Sequence, residues 1–125
     1  MGDWNVEADT EKGRLYIELS GYIEGEEAER STNAVVEAAE KMDEGFDVIT
    51  DIADVQPGDA EAVENIKRGK EAVAENGATA AVRITPESTT GQMQFERAGD
   101  EPYAVAMADS VEKAEKLLDQ RRAEQ

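Results

Sequence analysis

The chain has 125 residues, with 30 Asp plus Glu against 13 Lys plus Arg and a formal net charge of −17, a length suited to one domain around one core. It contains no His and no Cys, which removes disulfides, thiolate chemistry, Cys/His zinc sites, the Ser-His-Asp triad and imidazole acid–base catalysis. No apolar run approaches the ~20 residues that span a bilayer, and Met1-Gly2-Asp3-Trp4 lacks the basic flank and apolar stretch of a signal peptide, so a cytoplasmic protein without membrane insertion is expected.

Trp4-Asn5-Val6-Glu7-Ala8 and Arg14-Leu15-Tyr16-Ile17-Glu18-Leu19-Ser20 alternate apolar with polar residues, as half-buried strands do. The turn residues Asp9-Thr10-Glu11-Lys12-Gly13 between them make a hairpin. Trp4, the single Trp, reads as a core anchor of the first strand. After Gly21, the acids Glu24, Glu26 and Glu27 precede a helix that places Ala28, Val35, Ala38, Ala39 and Met42 on one face. Early acids suit the positive end of the helix dipole, and Gly45 supplies a stop. Phe46-Asp47-Val48-Ile49-Thr50-Asp51-Ile52 is a third strand, rich enough in β-branched residues to be central. A loop over 54–59 ends in Asp59, a favoured N-cap type. In the helix that follows, Val63, Ile66, Lys70 and Val73 recur at helical spacing, and Asn76-Gly77 closes it.

Ala78 to Ile84 reads as a fourth strand. Pro86 breaks the pattern, and Ser88-Thr89-Thr90-Gly91 leads into a short helix over Gln92-Met93-Gln94-Phe95-Glu96-Arg97. Tyr103 to Ala108 is a fifth strand. Asp109-Ser110 caps a last helix with Val111, Ala114, Leu117 and Leu118 as its buried stripe, and a tail over 120–125 is expected to fray. The order β-β-α-β-α-β-α-β-α predicts a single α/β domain: a mixed sheet in which a hairpin precedes parallel strands joined by right-handed crossovers, with helices packed on it.

The negative charge is spread through every segment among apolar positions, unlike the block of an acidic disordered tail. Such a surplus resembles the acidic, salt-adapted proteins of haloarchaeal type. Self-repulsion destabilises the compact state at low salt, and at molar salt a Debye length of roughly 3 Å screens it. A nucleic-acid partner is not expected, since phosphates call for a positive contact surface.

The hairpin ending at Ser20-Gly21-Tyr22-Ile23, followed by Val48-Ile49-Thr50-Asp51-Ile52-Ala53-Asp54-Val55 running into a helix, resembles the STAS fold, the family of the anti-sigma factor antagonists and SpoIIAA-like proteins. The resemblance extends over nearly the whole chain as element order, and at residue level it rests on Asp51 to Glu61. It implies a non-enzymatic regulatory module that binds a kinase-like or sigma-related protein through Gln56, Pro57, Gly58, Asp59, Ala60 and Glu61. In antagonists of this type a Ser at the helix start is phosphorylated. Here Asp51 and Asp54 match the acidic positions and Asp59 the Asp before the serine, while the serine position holds Ala60, followed by Glu61.

Other readings stand beside it. A pocket between the sheet and the segment carrying Ser88, Gln92, Met93, Phe95 and Arg97 is a candidate for a small molecule or lipid headgroup. Met93 and Phe95 also serve as plain core, and Ser88-Thr89-Thr90 as a plain helix cap. A carboxylate pair of hydrolase type is a further alternative. Asp51, Asp54 and Asp59 are oxygen ligands in type, but their spacing matches no EF-hand loop, and neither Gly58 nor Gly91 belongs to a phosphate-loop pattern. No metal and no cofactor is assigned. Salt adaptation predicts a melting temperature that climbs steeply from low to molar KCl. A thermal melt indifferent to salt overturns that account of the charge.

Overall fold

Alternation in the first two segments produces the expected hairpin. Strands β1 (Asp3–Asp9) and β2 (Arg14–Ile23) pair antiparallel from Asp3↔Ser20 to Asp9↔Arg14. At the turn the Gly13 N–H donates to the Asp9 carbonyl at 2.9 Å and the Lys12 N–H to Asp9 Oδ1 at 3.0 Å. The computed structural model describes residues 3–23, 25–57, 60–84 and 104–123. Helix α1 (Gly25–Glu40), strand β3 (Asp47–Pro57), helix α2 (Ala60–Glu75), strand β4 (Ala80–Ile84), strand β5 (Ala104–Ala108) and helix α3 (Val111–Ala123) follow. The expected short helix over 92–97 lies outside the described residues.

The described strands form one sheet in chain order, β1-β2-β3-β4-β5. The hairpin is antiparallel and each later pairing is parallel. This is the mixed α/β architecture that the alternation of strands and helices predicts. Stepping across a sheet in one direction with crossovers of one hand keeps the crossover helices on one face. Accordingly α1 and α2 pack together, with Thr32 Oγ1 donating to the Asn65 carbonyl at 2.9 Å, and α3 takes the other face against β3, β4 and β5.

Two cores result. Leu15, Ile17, Leu19, Val48 and Ala81 meet Val35, Ala38, Ala39 and Val73 of the helix pair and Met42 just past α1. Ile49, Ala80, Val82, Ile84, Ala106 and Ala108 meet Ala114 and Leu118 of α3. Adjacent Val48 and Ile49 are each 2% exposed on opposite faces, as expected of a central strand covered on both sides. Among the described residues no helix is long and apolar enough to cross a membrane.

Several boundaries move. β2 continues past Ser20 to Ile23 through a register shift between Glu18 and Ser20, with Gly21 at φ +75. β3 runs to Pro57 instead of ending at Ile52, pairing Tyr22↔Gln56 and Ile23↔Pro57. Ala53, Asp54 and Gln56 are weak strand formers, so pairing to β2 overrides local propensity. Trp4 is 38% exposed and not a core anchor, because β1 is an edge strand; Val6 and Ala8 carry its packing instead. Val111, expected in the buried stripe, is 40% exposed at the first position of α3. The expected fraying from Gln120 also gives way, since α3 remains helical to Ala123.

Gly77 (φ +101) ends α2 as expected, and a Cβ there would lie 2.9 Å from Glu44 Cα. Gly77→Ala is therefore expected to cost about 2 kcal/mol or more in urea unfolding, combining backbone strain and overlap. Gly69 in α2 contrasts with it: a Cβ there meets Thr32 and Val35 at 3.7 and 3.8 Å, so Gly69→Ala should stabilise by about 0.5–1 kcal/mol.

Candidate functional site

The face covered by α3 carries a buried charge cluster that alternation alone does not foretell. Arg14 opens β2 at a nominally polar position, yet it is fully buried, and its partner Asp47 is 3% exposed. Arg14 Nε donates to Asp47 Oδ1 at 2.7 Å and Nη2 to Asp119 Oδ1 at 3.0 Å, while Nη1 faces Glu115 Oε1 at 3.7 Å. Arg122 approaches from the end of α3. Its Nε donates to Asp47 Oδ2 at 2.9 Å, Nη1 to the Lys12 carbonyl at 2.6 Å and Nη2 to the Gly13 carbonyl at 2.8 Å. The Tyr16 hydroxyl donates to Glu115 Oε1 at 2.6 Å, and Lys12 Nζ reaches the same oxygen at 3.4 Å.

Burial alone would lower the Arg14 pKa, but the hydrogen bonds to Asp47 and Asp119 outweigh it and hold the guanidinium charged. Burial, reinforced by the bond to Glu115, pushes the Tyr16 phenol up to about 12. The Tyr16 hydroxyl in turn draws the Glu115 carboxyl below its ordinary value, against burial. The hydrogen bond from Arg14 does the same for Asp119. This cluster stands at the N-terminal ends of the parallel strands, whereas open α/β sheets bind ligands beyond the carboxyl ends. It fastens α3 to the hairpin and is structural in character.

Further along the same face, beside the first residue of α3, a cleft of about 180 Å³ opens among Asn5, Glu7, Tyr16, Ile17, Glu18, Ile49, Asp51 and Val111. Two cross-strand rows furnish it: Asn5, Glu18 and Asp51, then Glu7, Tyr16 and Ile49. Among the described residues, no three acidic side chains are grouped to hold a metal ion.

The segment singled out by resemblance sits at the carboxyl end of the sheet. Gln56 and Pro57 close β3 beside Tyr22 and Ile23, and Ala60 and Glu61 open α2. β4 pairs only with Asp47–Asp51, so among the described strands the last six residues of β3 are flanked by β2 alone. Gly58 and Asp59 lie outside the described residues. So do Ser88, Gln92, Met93, Phe95 and Arg97. Sequence reasoning missed the cluster around Asp47. The one signal for it was Arg121-Arg122, a basic pair in a segment otherwise expected to be loose.

No protein-family model and no characterised protein matches the chain by sequence. Solved structures do match in shape. One is an uncharacterised protein with a SpoIIAA-like fold from Shewanella loihica PV-4, at 14% identity and TM-score 0.67 over 94% of this chain and 93% of that one. Another is the anti-sigma factor antagonist SpoIIAA in its unphosphorylated form, at 17% identity and TM-score 0.60 over 96% of this chain and 98% of that one.

Asp47→Ala deprives the buried Arg14 of its one buried carboxylate partner, leaving the more exposed Asp119 and Glu115, and is expected to cost about 3 kcal/mol in urea unfolding. Arg122→Ala removes charge-assisted bonds at a half-exposed position and should cost about 1–3 kcal/mol. The titrations bound the stable pH range. Raised in the folded state, Tyr16 contributes fully below pH ~10, and that contribution is lost as pH rises towards about 12. Lowered in the folded state, Glu115 and Asp119 contribute at neutral pH and lose that contribution as pH falls through their folded values. Tyr16→Phe should remove the alkaline loss in melts followed from pH 9 to 12.

Proposed function

We propose that this chain, which carries a SpoIIAA-like fold, is a non-enzymatic regulatory module that binds a partner protein through Gln56–Glu61. The observation that supports this most directly is the direct passage from β3 into α2, ending at Pro57 and resuming at Ala60. It sets a short connection at the carboxyl end of the sheet, where open α/β folds present their binding residues. Fold alone does not fix a function, so the residues at this connection carry the reading.

At the position where antagonists of this kind bear a phosphorylatable Ser, this chain has Ala60, the first residue of α2. Binding is therefore constitutive with respect to that site. In the sequence, Asp59 and Glu61 flank that position and carry fixed negative charge. The partner is a kinase-like or sigma-related regulator acting at this surface, and neither metal nor cofactor takes part.

Affinity capture from native lysate in molar KCl, with the prey identified by mass spectrometry, tests the reading. A kinase-like or sigma-related protein is expected, and Gly58→Arg should abolish its capture while leaving the melting temperature within a few degrees. Capture by Gly58→Arg at full strength overturns the assignment of the surface, and prey of neither class overturns the assignment of the partner.

A further inference from the structure

We infer that the outer edge of β1 is a docking site for an extended basic segment of a partner protein, added as a strand beside β1 with a Lys or Arg side chain seated in the adjoining cleft. Among the described strands β1 pairs with β2 alone. Such an edge presents backbone N–H and C=O groups to a further strand. Strand addition takes its affinity from those groups and its specificity from pockets for alternate side chains.

The side chains of β1 specify the occupant. On the face of the cleft stand Asp3, Asn5, Glu7 and Asp9, three acids and an amide with no base among them. On the opposite face stand Trp4, Val6 and Ala8, with Trp4 38% exposed. The complement is a strand alternating basic with apolar residues. The cleft is lined by Asn5 and Glu7 of β1 together with Glu18 and Asp51, and by Tyr16, Ile49 and Val111. A Lys or Arg stem lies along the apolar members while its charged head meets the carboxylates, beside an aromatic ring suited to a cation. A second copy of this chain fits less well. Antiparallel β1 against β1 sets one acidic face beside another, and like charges on paired strands destabilise. The site is separate from Gln56–Glu61 and does not depend on it.

Trp4 is the single Trp, so its fluorescence reports directly on this edge. The test titrates a blocked octapeptide of alternating Arg and Val into the intact chain, in KCl at which circular dichroism shows it folded. Two controls accompany it: the Glu-Val counterpart, and an Arg-Val peptide N-methylated along the edge that would face β1. Saturable 1:1 binding by the Arg-Val peptide alone is expected. The double substitution Glu7→Gln/Glu18→Gln, at exposed positions, should weaken it about tenfold or more with an undiminished melting temperature. Absence of binding overturns the inference, as does equal affinity for the N-methylated peptide, which would mark bare charge attraction. Unchanged affinity in the double variant, or a sedimenting dimer that the peptide fails to dissociate, overturns it equally.

Discussion

Asp47 holds the α3 face of the molecule together. Its carboxylate accepts from Arg14 Nε on Oδ1 at 2.7 Å and from Arg122 Nε on Oδ2 at 2.9 Å, where Arg14 Nη2 also reaches at 3.4 Å, and its own N–H donates to the Gly13 carbonyl at 3.1 Å. Three elements distant in sequence are fixed by one side chain. A buried ion pair adds little net stability over apolar packing, but loss of one member is costly because the other is left unsolvated. The cluster therefore acts chiefly as a specification: it sets which end of α3 meets the hairpin and at what register. The helix stripe could not do this alone, since Ala114 and Leu118 are its buried residues and offer small, featureless contacts.

The remaining charge follows a different logic. Exposed pairs such as Glu26–Arg30 and Asp109–Lys113 contribute little individually. Salt reaches these surface groups and screens them. It reaches the Asp47 cluster far less. Surface acidity and interior pairing are thus separable properties, one tuned by the medium and the other by geometry.

Much of the fold was legible because periodicity is a local signal. The face Ala28, Val35, Ala38, Ala39 and Met42 is buried as its spacing requires, and Ser110 caps α3 by accepting from the Lys113 N–H. What escaped was non-local. Arg14 occupies a polar slot of an alternating strand, and nothing nearby in sequence reveals that Asp47 and Asp119 wait opposite. Trp4 has the composition of a core residue but the position of an edge one, and strand order is a property of the whole sheet. The ends of β2 and β3 support each other across a parallel ladder, so neither segment declares its length alone. As for the site, the Gln56–Glu61 connection was reached through resemblance, while the acidic cleft draws residues from three strands and a helix that no motif links.

The order of the strands has a consequence for how the chain assembles. Each described strand lies beside its predecessor, so the sheet is able to grow outward from the hairpin as the polypeptide is made, one crossover at a time. The α3 face follows another timetable. Arg14 and Asp47 meet across 33 residues, but Arg122 stands 75 residues beyond Asp47. Until α3 emerges and docks, Asp47 and the Gly13 carbonyl lack the second guanidinium, that of Arg122. The last helix is the keystone of a structure whose other parts are laid in sequence, and its arrival covers the second face of the sheet.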